Sequence, residues 1–357
     1  MDSRAKAVGP LPYTEGKHPA LKPRQLSRRA LVLLGFRCQT ERARPSKQMA
    51  DKKVKLGNTR VTGKEQYYTP PDLSREILER VCSQVDKPTK RVFLEPAGGT
   101  GSFIEAAKAF GFTQIVSMDI EPKHELVQEM DFLETQLDLS SAVCVTNPPF
   151  GRNNSLSVPF FNKAAEYSDI IAFIVPRSWR KWSVLNRLNM SFHLVDDWNL
   201  DIDYVDDEGE STHGVGNLRT CVQVWKKDES KLRLPVKIPD HGIIEKTTPE
   251  LADVSFTLFG YGCGTVKEEF PRVPNTTQTF LKLKHPRALE ALNAVDFSKF
   301  FNHTAYTEAL GLQEINYLLN DYLGLETMKY STDPLDKNYL GLNHAEQFAS
   351  GDQPRIF

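Results

Sequence analysis

The protein has 357 residues, of which 40% are hydrophobic and 25% are charged. This is ordinary globular composition at a length typical of two to three domains, so it excludes a fibrous repeat and global disorder. The five cysteines are scattered and never spaced as C-x-x-C, and every apolar run is far shorter than the roughly 20 residues that cross a bilayer. We therefore expect no disulfide framework, no cysteine zinc site and no membrane span, in an intracellular protein of the cytoplasm or nucleus.

The net charge of −1 conceals an asymmetry along the chain. Residues 1–60 contain 15 lysines and arginines against 4 acidic residues, whereas the remainder contains 30 against 42. This composition predicts a basic, disordered arm. Three interpretations stay open: a nucleic-acid-binding tail, a targeting segment, and an upstream extension without a role, because Met49 would serve equally well as a start.

The first regular elements begin near residue 69. Thr69 and Pro70 have the character of a helix start, and apolar residues then recur every four positions up to Val85, which predicts an amphipathic helix. A strand at 91–94, a glycine-rich turn and a helix at 102–110 follow. Further strands are predicted at 114–118, 142–146, 170–175, 192–200 and 218–226. Short apolar strands that alternate with helices predict an α/β fold with a mostly parallel sheet.

Beyond residue 230 the periodicity weakens. Short strands at 254–259 and 279–283 and a helix at 310–323 predict a small C-terminal module at 231–330, for which substrate recognition is one candidate role. The main domain is expected at 61–230 and a tail at 331–357. Eight of the fifteen residues at 196–210 are acidic. Without calcium-loop glycines, this pattern predicts a solvated face rather than a metal site. The histidines also lack ligand spacing, so no metal is expected.

Three segments suggest a nucleotide-like ligand. The turn after the first strand contains Glu95, Ala97, Gly99 and Gly101, and its glycines would let the backbone approach a ligand beside a helix N-terminus. Asp119 follows the second strand, where a carboxylate can accept hydrogen bonds from ribose hydroxyls. Asp131 and Phe132 lie where a third strand would start, and could contact an adenine amino group and ring.

The most specific feature is Asn147-Pro148-Pro149-Phe150, directly after the strand at 142–146. The Asn147 side-chain oxygen and the Pro148 carbonyl could accept both hydrogens of an exocyclic amine, whose nitrogen is otherwise a poor nucleophile. The prolines restrict the backbone and hold that carbonyl outward. The Phe150 ring offers a stacking surface for an extruded base.

Residues 63–226 resemble the S-adenosylmethionine-dependent amino-methyltransferases with an Asn-Pro-Pro-Phe or Tyr motif, and among them most the adenine-N6 DNA methylases of restriction–modification systems. The resemblance implies a class I (Rossmann-like) methyltransferase fold with a seven-stranded, mostly parallel sheet and one antiparallel strand. It also implies direct methyl transfer from S-adenosylmethionine to a flipped adenine. The segment Gln66-Tyr67-Tyr68-Thr69-Pro70-Pro71 resembles the opening motif that closes over the methionine end of the cofactor. By this resemblance Tyr68, Thr69 and Pro70 are assigned to the cofactor, as is Ile120 beside Asp119.

The substrate is less sharply indicated. Cations and aromatics alternate at 176–182, and we expect Phe150, Arg152, Arg177 and Trp179 to contact nucleic acid, although Trp179 could equally cap the core. DNA is preferred as the partner and RNA is the alternative. Guanine-N2 methylation, protein-glutamine methylation and a non-catalytic cofactor-binding scaffold also stay open, because the module after residue 230 matches no target-recognition domain and the region 61–230 is acidic.

Overall fold

The computed structural model describes residues 67–200, 202, 204, 218–270 and 276–328. Its larger sheet has seven strands in the order β3-β2-β1-β4-β5-β7-β6. Strand β7 runs antiparallel to both of its neighbours, and the remaining pairs are parallel. These strands are β1 Phe93–Glu95, β2 Ile115–Asp119, β3 Gln128–Glu129, β4 Ala142–Thr146, β5 Ser168–Pro176, β6 Phe192–Leu200 and β7 Thr220–Lys227.

Helices cover both faces of this sheet. The helices α1 Pro71–Cys82 and α2 Ser102–Phe110 pack on one face, and α3 Ser157–Ala164 and α4 Trp182–Leu185 pack on the other. Successive strand residues alternate between the two cores, so that Val143 faces α1 and α2 whereas Cys144 faces α3. Because both faces are buried, the strands read as continuous apolar runs, which is the pattern that predicted them.

A second, antiparallel sheet follows, with the order β10-β9-β11-β8. Its strands are β8 Ile244–Thr247, β9 Val254–Phe259, β10 Val266–Lys267 and β11 Thr277–Leu283, and the helices α5 Ala288–Ala294, α6 Ser298–Phe301 and α7 Leu312–Leu323 pack on it. One hydrophobic core joins this C-terminal module to the larger sheet. Trp182 places its ring 5.5 Å from that of Phe300 and 5.4 Å from that of Tyr317. None of the helices within the described ranges is long and apolar enough to span a membrane.

The class I methyltransferase fold expected from the sequence is confirmed by the seven-stranded order with a single antiparallel strand. The helix α1 ends at Cys82, short of Val85, which is nevertheless buried. The third strand precedes Asp131 instead of starting there. The basic arm at 1–60 and the tail at 331–357 lie outside the described residues, and the domain boundaries stay predictions.

The prediction of a solvated acidic face at 196–210 is wrong for its first two residues, Asp196 and Asp197. Both lie inside β6, and Asp197 forms an ion pair with Arg180 at 2.6 Å, in which the side chains are 5% and 2% exposed. Asp196 accepts two hydrogen bonds from the Arg80 guanidinium, each 2.8 Å long. The sequence pattern could not reveal these cations, which are distant along the chain. All six later acidic positions lie outside the described residues.

Candidate active site

The carboxyl ends of β1, β2 and β4 lie at one edge of the larger sheet, because these neighbouring strands are parallel. Glu95 ends β1, Asp119 ends β2 and Asn147 follows β4 directly. Polar residues that are up to 52 positions apart in the sequence therefore share this edge.

The glycine-rich turn after β1 is tied to β2 and to the segment before α1. The Gly98 amide donates to the Met118 carbonyl at 2.9 Å. Gly99 has a φ of +43°, and a Cβ there would lie 2.7 Å from the Tyr68 ring. Tyr68, which the opening motif assigned to the cofactor, therefore lies against the turn, and only glycine fits at position 99 without displacement.

Asp119 organises the same turn through main-chain hydrogen bonds. Its Oδ2 accepts from the Gly99 amide and its Oδ1 from the Glu121 amide, both at 2.9 Å. Each carboxylate oxygen can accept more than one hydrogen bond. The carboxylate can thus hold the turn and still accept from a ligand hydroxyl.

Glu95 is buried, with 2% of its surface exposed, and its Oε2 has no hydrogen-bond partner within the described structure. Burial, and secondarily the negative charge of Asp119, raise the pKa of Glu95 well above its ordinary value. Leaving a buried carboxyl oxygen unsatisfied is costly in a folded protein. A cationic ligand group at this edge would satisfy it.

The other predicted cofactor residues are placed unevenly. Ile120 is 67% exposed beside Asp119. Asp131 is exposed two residues after β3 and accepts from the Leu133 amide at 2.9 Å. Phe132 is 1% exposed and its ring lies 5.4 Å from that of Phe160. The expectation that the Phe132 ring would lie beside a bound adenine is corrected by this burial, since the ring belongs to the core.

Asn147 is held by the segment that precedes α1. Its Nδ2 donates to the Tyr67 carbonyl at 2.7 Å and to the Thr69 hydroxyl oxygen at 3.4 Å. Thr69 itself is buried, and the Pro70 carbonyl after it accepts from the Ser74 amide in the first turn of α1. Because Nδ2 of the Asn147 side chain is directed at these partners, its oxygen Oδ1 points away from them and can act as an acceptor.

The rest of the turn is largely enclosed. Pro148 is buried, Pro149 is half-buried and Phe150 is 7% exposed. The Phe150 carbonyl accepts from the amides of Leu156 and Ser157, at 3.2 and 3.3 Å, where α3 begins. The end of the motif is therefore anchored to a helix start, and little of the Phe150 ring is open in this conformation.

The predicted substrate contacts separate into surface and core residues. Arg152 is exposed, and Arg177 is half-buried with its Nε donating to the Thr220 carbonyl at 3.2 Å. Trp179 is fully buried, and its Nε1 donates to the Ser157 hydroxyl at 3.1 Å. Its assignment to substrate is corrected, because an indole with no exposed surface packs in the core.

Two residues that sequence reasoning missed support the site. Tyr67 provides the carbonyl that holds Asn147, and its ring packs 5.5 Å from that of Tyr204. The Tyr204 hydroxyl donates to the Thr220 hydroxyl oxygen at 2.8 Å. The only sequence signal was the position of Tyr67 inside the opening motif. Among the residues that the structure describes, no group of three His, Cys, Asp or Glu could hold a metal.

Comparisons with known proteins gave similar folds only. No family model and no curated protein matches the sequence. The solved structures that resemble the chain over 44–46% of its length include the following three. A proposed RNA methyltransferase from Pyrococcus horikoshii has 19% sequence identity and a TM-score of 0.37, and the match covers 46% of this chain and 87% of that chain. The modification subunit of a proposed type I restriction enzyme from Vibrio vulnificus has 14% identity and a TM-score of 0.34, with 45% of this chain and 44% of that chain covered. TrmN from Thermus thermophilus has 18% identity and a TM-score of 0.33, with 44% of this chain and 49% of that chain covered. At such identities and TM-scores, these likenesses identify neither a reaction nor a substrate.

Proposed function

We propose that the protein transfers a methyl group from S-adenosylmethionine to the N6 amine of adenine in DNA. The observation that carries the proposal is the orientation of the Asn147 amide, whose nitrogen donates to the Tyr67 carbonyl. This leaves Oδ1, an acceptor, for the amine of a base.

Asn147 and Pro148 would act on the target amine together. The nitrogen lone pair of adenine N6 is delocalised into the ring, so the amine is a weak nucleophile. Two acceptors that hold its hydrogens favour tetrahedral geometry, in which the lone pair localises on nitrogen. A preorganised pair of acceptors stabilises the charge that develops on this nitrogen during transfer. The surplus proton then leaves to water.

The residues at the sheet edge fit the cofactor. S-adenosylmethionine would supply an activated methyl group on a cationic sulfonium and also carries an ammonium group and a ribose. The buried, unpartnered Oε2 of Glu95 suits a cationic group, and Asp119 beside Gly99 suits ribose hydroxyls. Exposed Ile120 offers an apolar surface next to Asp119. The carboxylates of Glu95 and Asp119 at this edge favour a cationic ligand.

Base capture would use the Phe150 end of the motif. Because the Phe150 ring is 7% exposed, we expect the following residues to shift when a base stacks there. Gly151 in that loop has a φ of +67°, which glycine adopts freely, whereas Asn153 has a φ of +54°, a left-handed conformation that costs a non-glycine residue free energy. Such strain is common at segments that rearrange on binding.

The test uses Asn147→Ala and labelled S-adenosylmethionine with separate DNA, RNA and protein pools. We expect label in DNA with the wild type and a loss of turnover on the order of 10²–10³-fold in the variant, the range found when one transition-state hydrogen bond is removed. Cofactor affinity should be unchanged, because the loss is confined to the transition state. Asn293→Ala, a remote exposed asparagine on α5, serves as the control.

A folded Asn147→Ala protein that methylates at the wild-type rate would contradict the proposed mechanism. Label in RNA alone would replace DNA by the RNA alternative while retaining the amine chemistry. Absence of calorimetric S-adenosylmethionine binding in the wild type would contradict the enzyme itself.

A further inference from the structure

The tip of the β9–β10 hairpin presents an aromatic ring to solvent. Tyr261 is 93% exposed, and Phe259 before it is 42% exposed. Burial of these rings by a partner would be favourable, because large aromatic side chains remove much apolar surface from water. The surrounding turn shows that this exposure does not come from a loose loop.

The turn is firmly anchored on both sides of Tyr261. The Cys263 amide donates to the Gly260 carbonyl at 3.0 Å, and the Gly264 amide donates to the Thr257 carbonyl at 2.9 Å. Gly264 has a φ of +89°, and a Cβ there would lie 2.9 Å from the Cβ of Phe297. The tyrosine is thus displayed on a rigid turn that packs closely against the module.

Main-chain hydrogen bonds connect this hairpin to the edge that carries the candidate active site. The Gly260 amide donates to the Glu308 carbonyl at 3.0 Å, and Phe259 bridges to Ala309. Three residues earlier in that segment, the Ala305 carbonyl accepts from the Arg219 amide at 2.7 Å. Arg219 directly precedes β7, which runs antiparallel and so begins at the edge where β5 ends.

A second aromatic of the module, Tyr306, lies between the hairpin and the active site. It is 43% exposed and follows Ala305. Burial first, and then Cys221, Tyr67 and Tyr306, raise the pKa of Tyr204, so Tyr306 lies in the electrostatic neighbourhood of Tyr204, whose ring packs on that of Tyr67. The module therefore extends the active-site edge by two exposed aromatic rings.

Two arginines lie along the main chain that adjoins Tyr306, because the Arg219 amide bonds to the carbonyl of the preceding Ala305. The Arg177 amide donates to the Arg219 carbonyl at 3.0 Å, and the Arg219 guanidinium donates to the Asn302 side-chain oxygen at 2.7 Å. Both arginines are half-buried at the junction of β5 and β7. Glu308 and Glu314 are acidic residues of this neighbourhood, since burial first, and then both of these charges, raise the pKa of the Cys263 thiol in the hairpin turn. Aromatic faces beside arginines are the combination by which proteins bind unpaired bases and their phosphates.

We propose that Tyr261 and Tyr306 form a stacking surface for unpaired bases of the nucleic-acid substrate, beside the target base. This proposal rests on the proposed function and names its substrate class as single-stranded or locally unpaired nucleic acid. A base in a duplex has both faces covered by its neighbours, so exposed tyrosines favour a strand that is already open. Arg177 and Arg219 would contact its phosphates.

The test measures binding of the full chain to a fluorescent 20-nucleotide single-stranded DNA of mixed sequence, the RNA of the same sequence and the matching DNA duplex. We expect a single strand to bind more tightly than the duplex. Tyr261→Ala and Tyr306→Ala should each weaken that binding on the order of tenfold, the scale of one lost base stack. Tyr261→Phe should retain binding, since it keeps the ring.

Tyr322→Ala is the matched control. This tyrosine lies at the far end of α7, where its hydroxyl donates to Glu290, and its loss should leave binding unchanged. Equal affinities of Tyr261→Ala and wild type, or tighter binding of the duplex, would overturn the proposal. Calorimetric S-adenosylmethionine binding, which neither tyrosine should affect, reports separately on the proposed function, so the two can fail independently.

Discussion

The burial of Glu95 predicts that Glu95→Gln has opposite effects on stability and on cofactor binding. Its pKa is raised in the folded protein, so the folded state holds this proton more tightly than the unfolded state does. The stability that the proton contributes is therefore lost as pH rises from the ordinary value near 4.5 towards the raised pKa. Glu95→Gln cannot ionise, and we expect its melting temperature to rise relative to wild type over that pH interval.

Binding should respond in the other direction. A cationic cofactor favours ionised Glu95, so wild-type affinity for S-adenosylmethionine should increase with pH, whereas the glutamine variant should bind weakly with a flatter pH dependence. Melting curves and calorimetry between pH 5 and pH 9 check both halves. A Glu95→Gln variant with wild-type affinity at every pH would exclude Glu95 from the cofactor site.

Asp131 and Phe132 show that sequence spacing predicts where a residue lies in the fold but not whether its side chain is buried. The spacing placed the pair at the start of the third strand, whereas the structure puts Asp131 two residues after β3, on the active-site edge. Nothing in the local sequence indicated that Phe132 would pack against Phe160, because that contact depends on how α3 lies on the sheet. Side-chain burial is a tertiary property, and the same reason explains the correction of Trp179.

At the scale of elements, a substitution in the glycine-rich turn should lower both stability and cofactor affinity, through a steric clash as well as through backbone strain. Gly99→Ala places a Cβ at 2.7 Å from the Tyr68 ring and requires a φ of +43°. We expect lower stability by about 1–3 kcal/mol from the backbone conformation and its surroundings, together with reduced affinity for S-adenosylmethionine. Thermal unfolding and calorimetry measure the two effects.

Gly324→Ala provides a matched comparison at the end of α7. Its φ is +69°, yet no heavy atom lies within 4 Å of the added Cβ. This variant should show the backbone cost alone and bind the cofactor normally. Equal cofactor affinities of the two alanine variants would mean that the contact between Gly99 and Tyr68 does not shape the site.

Most elements of the larger sheet could be predicted from the sequence, and β4 and α2 have the expected limits. Their apolar runs are short, continuous and bounded by turn residues, so local pattern and burial agree. The sequence predicted the components of the candidate site but not the hydrogen bond between Asn147 and Tyr67, which joins positions 80 residues apart. It also missed the second sheet's order, since its strands pair across irregular, proline-containing segments.

For the whole molecule, the shared core predicts that the two sheets unfold together. Trp182 is 2% exposed and packs against Phe300 and Tyr317 of the C-terminal module. Trp182→Ala should lower the free energy of unfolding by about 3–5 kcal/mol, as for other large core truncations. Urea unfolding followed by fluorescence and by circular dichroism should give coincident transitions in the wild type. Separate transitions would mean that the module is an independent folding unit.

The hydrogen bond that orients Asn147 has a consequence for sequence variation. Its acceptor is the main-chain carbonyl of Tyr67, which every amino acid possesses. Replacing the tyrosine side chain therefore leaves the acceptor in place as long as the backbone keeps its course. Chemically unlike residues at position 67 would be tolerated by the reaction and selected only by their fit against Tyr204. The orientation of Asn147 is therefore expected to persist when the side chain at position 67 is replaced.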